Sequence, residues 1–262
     1  MRSGKVAVAF AVLLVVSFAV MNAMPSDTLP AALLQETVLA LVAFAAVGFA
    51  ISDALECCTK SVQQRNTVRF TATALLLAGL VGGAITLLTW LFAGGGTMAC
   101  FASTALPSTA DLMENLLLLL GICLLTGLYE ESFMRVLSIE AFERALDTRR
   151  AILASAALFA LLHVGAPDVS AGQLVLLQTA LKFGQALLFG VILGALYVRT
   201  RRLWPCAFIH AGFDVLYMAP NVLLTGTMPE TYASGAVGDT VLLAVSVLML
   251  SGIVLKIRKE IS

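Results

Sequence analysis

Few side chains in this sequence are equipped for chemistry, and they fall into three short patterns. The two histidines each have a partner one helical turn away: His163 follows Phe159 by four residues, and His210 precedes Asp214 by four. That spacing places each pair on one helix face. The third pattern is Gly127-Leu-Tyr-Glu-Glu-Ser-Phe-Met-Arg-Val136. In it Glu131 and Arg135 are four apart and are expected to pair, whereas Glu130 points about 100° away with no basic residue in register. A carboxylate and an imidazole can hold a water molecule and take its proton as it attacks a carbonyl carbon. Two imidazoles and a carboxylate, here His163, His210 and Glu130, are also an acceptable zinc set that leaves a position open for water.

The surroundings of these residues are apolar. The chain has 262 residues, of which 60% are hydrophobic and 12% charged, with a mean hydropathy of +0.97. Soluble domains carry about 25% charged residues, so an all-α integral membrane protein is expected, as one domain over residues 1–262. A formal net charge of zero leaves no basic face for nucleic acid. Five cysteines without metal-type spacing argue against a disulfide framework or a zinc–thiolate centre. The adjacent Cys57 and Cys58 lie near a membrane surface, where they are weak candidates for acylation.

A crossing helix needs about 20 apolar residues, and the expected crossings are 6–24, 31–52, 70–93, 112–129, 151–166, 173–198, 203–220 and 238–256. The basic residues support eight crossings. Except for Lys182, they lie before the first span, after the even-numbered spans, or at the C-terminal tail. Positive charge stays inside, which puts both termini and every basic connection in the cytoplasm. The first span also resembles a signal peptide, but its long apolar run favours retention as a crossing helix. The glycine-bearing stretch from Gly94 to Thr109 reads as an outside loop. After the fourth span the helix is expected to continue as a cytoplasmic amphipathic extension, with Glu140 paired to Arg144.

Ionisable groups within spans cost a few kcal/mol each on insertion scales and are tolerated where they face a polar interior. Glutamates at the end of a helix can simply be solvated, and one membrane histidine can serve as a helix–helix hydrogen-bond donor. Two histidines, an aspartate and an unpaired glutamate on three helices fit a shared wet pocket better. Glu36, Glu114 and Lys182 have no motif partners and read as structural, and Gln178, Gln185 and Thr179 read as interhelical contacts.

In order along the chain, Glu130-Glu131-xxx-Arg135, Phe159-xxx-His163 and His210-xxx-Asp214 resemble the three-motif signature of the CPBP (Abi, CAAX-protease-like) intramembrane proteases. The segment Gly194–Pro205 is similar to that family as well. The resemblance covers Glu130 to Asp214 and implies peptide-bond hydrolysis. It makes Glu130 and His163 the residues that activate water, His210 and residue 214 the stabilisers of the tetrahedral oxyanion, and Glu131, Arg135 and Phe159 their supports. A small peptide or membrane-protein tail is the implied substrate, and a prokaryotic plasma membrane is the expected location. No cofactor is implied by the metal-free reading, and zinc on Glu130, His163 and His210 is its rival. Two positions depart from the family pattern, Val136 in place of glycine and Asp214 in place of the commoner asparagine. An ionised Asp214 would repel an oxyanion, so it must be protonated or must orient His210. A transporter or a non-catalytic scaffold of immunity type is the alternative function.

Overall fold

The computed structural model describes residues 2–24, 26–56, 61–92, 107–164, 172–228 and 233–261. Among these there are helices and no strand: α1 (Arg2–Ala23), α2 (Leu29–Ala50), α3 (Val62–Phe92), α4 (Thr109–Glu131), α5 (Ser138–Phe142), α6 (Thr148–Val164), α7 (Gln173–Thr200), α8 (Leu203–Thr225) and α9 (Val237–Ile261). Helix starts follow local chemistry. Thr28 caps α2 ahead of Pro30, and Ser108 and Asp111 cap the first turn of α4 reciprocally. Apolar side chains such as Phe18, Leu41, Leu117 and Leu248 are exposed on the outside of the bundle, as expected of a surface that meets lipid rather than water.

Among the described residues, seven helical stretches are long and apolar enough to cross a membrane, including Thr109–Phe142. The remaining expected crossing, 151–166, corresponds to α6, whose 17 residues are not among them. At about 1.5 Å per residue such a helix falls short of a hydrocarbon core of about 30 Å. The readings at Cys57 and Cys58, and most of the loop expected between Gly94 and Thr109, lie outside the described residues.

The stretch after α4 departs from expectation. It is not a solvated extension. Residues Ser132–Leu137 form a π-helical turn in which the Ser138 N–H bonds back to the Phe133 carbonyl, and all six are buried. Such a bulge widens one turn and shifts the face presented by the residues that follow it. Glu140 is taken by Arg201, at 2.7 Å, and by the Tyr197 hydroxyl, at 3.1 Å. Arg201 itself ends α7 in the left-handed region, at φ 49°, which turns the chain back into α8.

Helix α8 lies between α3 and α4, and glycine makes both approaches close. A Cβ on Gly83 would sit 2.2 Å from the Leu216 carbonyl oxygen, and one on Gly127 would sit 2.6 Å from that of Ala207. Helix α2 closes on α4, while α6 and α9 pack on α7. The basic residues gather at one end of this bundle. Lys5 lies over Phe49, Lys256 over Phe70, and Arg202 bonds the Asp53 carbonyl and pairs with Glu56. Arg199 reaches Thr67 from the end of α7.

Candidate active site

His210 is the hub of the site. It is 3% exposed on α8 and is held by both of its ring nitrogens. Nδ1 lies 2.8 Å from Oε1 of Glu131, while Nε2 faces Oε2 of Glu130 at 3.5 Å and Oδ2 of Asp214 at 3.3 Å. The His210–Asp214 contact is the one-turn pair expected from the sequence. The contacts with α4 exist because Gly127 lets α8 come close, one turn before the glutamates. Phe189 meets the imidazole edge-on at 4.8 Å between centroids and walls off its side.

Glu131 and Arg135 form the expected pair, with Nε 3.0 Å from Oε2, and both are fully buried. The contact is one of charge rather than an aligned hydrogen bond, since neither Oε2 nor any guanidinium nitrogen has a hydrogen bond of good geometry. The guanidinium lies over the Phe159 ring, 4.6 Å from its centroid, a cation–π contact that compensates part of its desolvation. Ser155, on the same helix as Phe159, donates to the Met134 carbonyl in the π turn. Glu131 thus braces His210 directly.

His163 is attached differently. Its Nδ1 lies 2.9 Å from the carbonyl oxygen of Phe159, and the two rings are in contact at 4.1 Å between centroids. The Phe159 ring is also 6.2 Å from that of His210, so the two imidazoles flank one aromatic side chain. His163 is exposed while His210 is buried. The carboxyl of Glu130 therefore meets one imidazole directly, and the other stands beside Phe159.

Two residues read as structural from the sequence belong to this neighbourhood. Glu36 of α2 lies within electrostatic reach of Glu130, Asp214 and His210. Lys182 of α7 is within such reach of Asp214, Glu130 and His163. The signal was present in both cases, an ionisable residue inside an apolar helix, but neither had a partner at helical spacing. Glu114 is exposed. Gln178 ties α7 to the start of α9, donating to the Ala236 carbonyl and Thr240, and Gln185 donates to Tyr217. Thr179, expected to join helices, instead bonds the Val175 carbonyl of its own helix.

Among the described residues no three His, Cys, Asp or Glu side chains are grouped to hold a metal ion. Cys123 and Cys206 are buried and free.

No curated protein matches the chain. A family model does, and the stretch it covers runs from the first turns of α4 to the middle of α8. Residues 112–216, which hold Glu130, Glu131, Arg135, Phe159, His163, His210 and Asp214, match the family described as Type II CAAX prenyl endopeptidase Rce1-like, the CAAX-protease group that their motif order resembles.

Proposed function

We propose that this protein is an intramembrane endopeptidase of CAAX type, which hydrolyses a peptide bond near the C-terminus of a lipid-anchored peptide or membrane-protein tail. The observation that carries this reading is the approach of Glu130 Oε2 to within 3.5 Å of His210 Nε2, on the segment that matches the Rce1-like family. Glu130, partly open at 21% exposure, accepts a proton from the attacking water while the water oxygen bonds to the carbonyl carbon. The same proton passes to the amide nitrogen as the carbon–nitrogen bond breaks. His163 orients that water from the exposed side.

His210 supplies the oxyanion donor. With Nδ1–H given to Glu131, Nε2 faces two carboxyl groups, an arrangement that suits an N–H there rather than a lone pair. In the substrate complex this N–H turns to the developing oxyanion, where one such donor is worth roughly 10²–10³ in rate. Asp214 holds the N–H until substrate arrives. The basic end of the bundle faces the cytoplasm in this reading, and the site opens to the inner leaflet.

The test uses purified protein in lipid nanodiscs and a farnesyl-cysteine peptide carrying three further residues. Wild-type protein is expected to release the tripeptide, and Glu130→Ala to release none. Equal release by both, or none by either, overturns the assignment and leaves a scaffold or a carrier.

A further inference from the structure

The side-chain oxygens and nitrogens that are shut away from solvent without a hydrogen bond are not scattered through this bundle. Among the described residues they are Oε2 of Glu36 and of Glu130, and then a run on one short stretch. That run comprises Oε2 of Glu131, Oγ of Ser132, the three guanidinium nitrogens of Arg135 and Oγ of Ser138. All four of its residues are 0% exposed. The stretch is the π turn with the residue before it and the residue after it, and isolated π turns are frequent at functional sites.

Buried polar groups in folded proteins nearly always have a partner, either protein or ordered water. The protein side of this stretch has little to give. The hydroxyl of Ser155, which reaches the turn from α6, is already given to the Met134 carbonyl. Phe133, Met134, Val136 and Leu137 are apolar and buried, and the guanidinium lies over the ring of Phe159. A ring face offsets charge but replaces none of the aligned bonds that five N–H donors make to oxygen. Arg135 only donates, an ionised Glu131 only accepts, and a serine hydroxyl does either. Ser132 and Ser138 flank Arg135 at three residues on each side, neighbouring positions along a helix. A cation here would meet the guanidinium and an anion the carboxylate. Water suits both, and a buried water typically makes about three hydrogen bonds to groups of this kind.

Glu131 carries the consequence to the site. Its Oε1 lies 2.8 Å from Nδ1 of His210, while its Oε2 faces Arg135 Nε at 3.0 Å without alignment. Whatever settles Oε2 and the guanidinium also settles the carboxylate that holds the imidazole.

We propose that Ser132, Arg135 and Ser138 form a closed water-binding site, and that water in it completes the pairing of Arg135 with Glu131 and so fixes the orientation of His210. The site is independent of the peptidase reading, whereas its effect on turnover rests on that reading. The two serines are positioning residues, acting on His210 through Glu131.

The experiment starts from wild-type protein in nanodiscs and a density map fine enough to show ordered water. Water is expected within hydrogen-bond distance of Arg135 and of at least one serine hydroxyl, bridging to Oε2 of Glu131. A map in which these groups are ordered and bond one another or the main chain directly overturns the site, and this arm needs no variant. Water that touches the serines alone overturns the link to Glu131. Ser132→Ala and Ser138→Ala are then compared with Ser132→Thr and Ser138→Thr, which keep the hydroxyl. Each alanine variant is expected to lower kcat on the farnesyl-cysteine peptide by about threefold to tenfold, the order of one hydrogen bond. KM is expected to stay unchanged, and threonine to restore the rate. The Nδ1–H resonance of His210 is expected to shift in the alanine variants and to return with threonine. Folded alanine variants with wild-type kcat and a wild-type His210 resonance overturn the positioning role. Absence of peptide release by wild type removes the peptidase reading alone, and the map and the resonance still decide the water site and its hold on His210.

Discussion

The carboxylate of Glu131 lies 2.8 Å from Nδ1 of His210, across the seam between α4 and α8. Its other oxygen lies 3.0 Å from Nε of Arg135, so one fully buried carboxylate couples a guanidinium to an imidazole. Breaking such a buried pair by removing one partner costs about 3–5 kcal/mol, because a charge is left uncompensated. Glu131→Ala and Arg135→Ala are each expected to lower the thermal midpoint in detergent sharply. Glu131→Gln keeps an acceptor for Nδ1–H and is expected to fold but to turn over slowly. Midpoints equal to wild type in both alanine variants would show that the pair does not hold the bundle.

Glu130 differs from its neighbour in being partly exposed, at 21% against 0% for Glu131. Glu130→Gln is therefore expected to leave the unfolding midpoint within about 1 kcal/mol of wild type, as for substitutions outside the packed core. Its turnover should fall by roughly 10²–10⁴, the usual worth of a general base. Active-site titration alongside a melting curve checks both halves.

Asp214 faces His210 Nε2 at 3.3 Å. If its part is to hold an N–H, an amide oxygen can replace it. Asp214→Asn is expected to keep hydrolytic activity within about tenfold of wild type, and His210→Ala to lose roughly 10²–10³. A folded but inactive Asp214→Asn would assign the residue a charged, orienting role instead.

At the basic end of the bundle Arg201 binds Glu143 through both guanidinium nitrogens, at 2.8 and 2.9 Å. Partial burial pushes the Glu143 carboxyl up, but the Arg201 hydrogen bonds and charge outweigh this and hold it below its usual 4.5. A depressed folded value means that the stabilisation is present above that usual value and is lost as pH falls through the folded one. Wild type is expected to lose more stability than Glu143→Gln between pH 6 and pH 3, these limits being chosen around the usual carboxylate range. Arg201 is 42% exposed, so solvent screening keeps the difference to about 1 kcal/mol or less. Parallel midpoints across that window would contradict the coupling.

Gly127 sets the approach of α8 to α4, with a Cβ there 2.6 Å from the Ala207 carbonyl oxygen and 3.2 Å from the Ala211 nitrogen. Backbone atoms cannot rotate aside as a side chain can. Gly127→Ala is expected to push His210 away from Glu130 and Glu131 and to reduce both stability and turnover; an unchanged midpoint and rate would count against it.

Periodicity and charge alone determined that these residues form apolar helices, that basic residues mark one end of the bundle, and which side chains pair within a turn. Glu131 with Arg135 and His210 with Asp214 follow from helix geometry, which is local and repeats every 3.6 residues. The order of the three motifs resembles that of the family whose description residues 112–216 match. What only the tertiary structure decided is which helix faces which. Glu131 reaches His210 because Gly127 admits α8 at that level and the π turn buries the residues beyond it. Glu36 on α2 and Lys182 on α7 lie within electrostatic reach of Glu130 and Asp214, and Glu140 turned to Arg201. Contacts between helices depend on their packing and tilt, and no spacing within one helix encodes those.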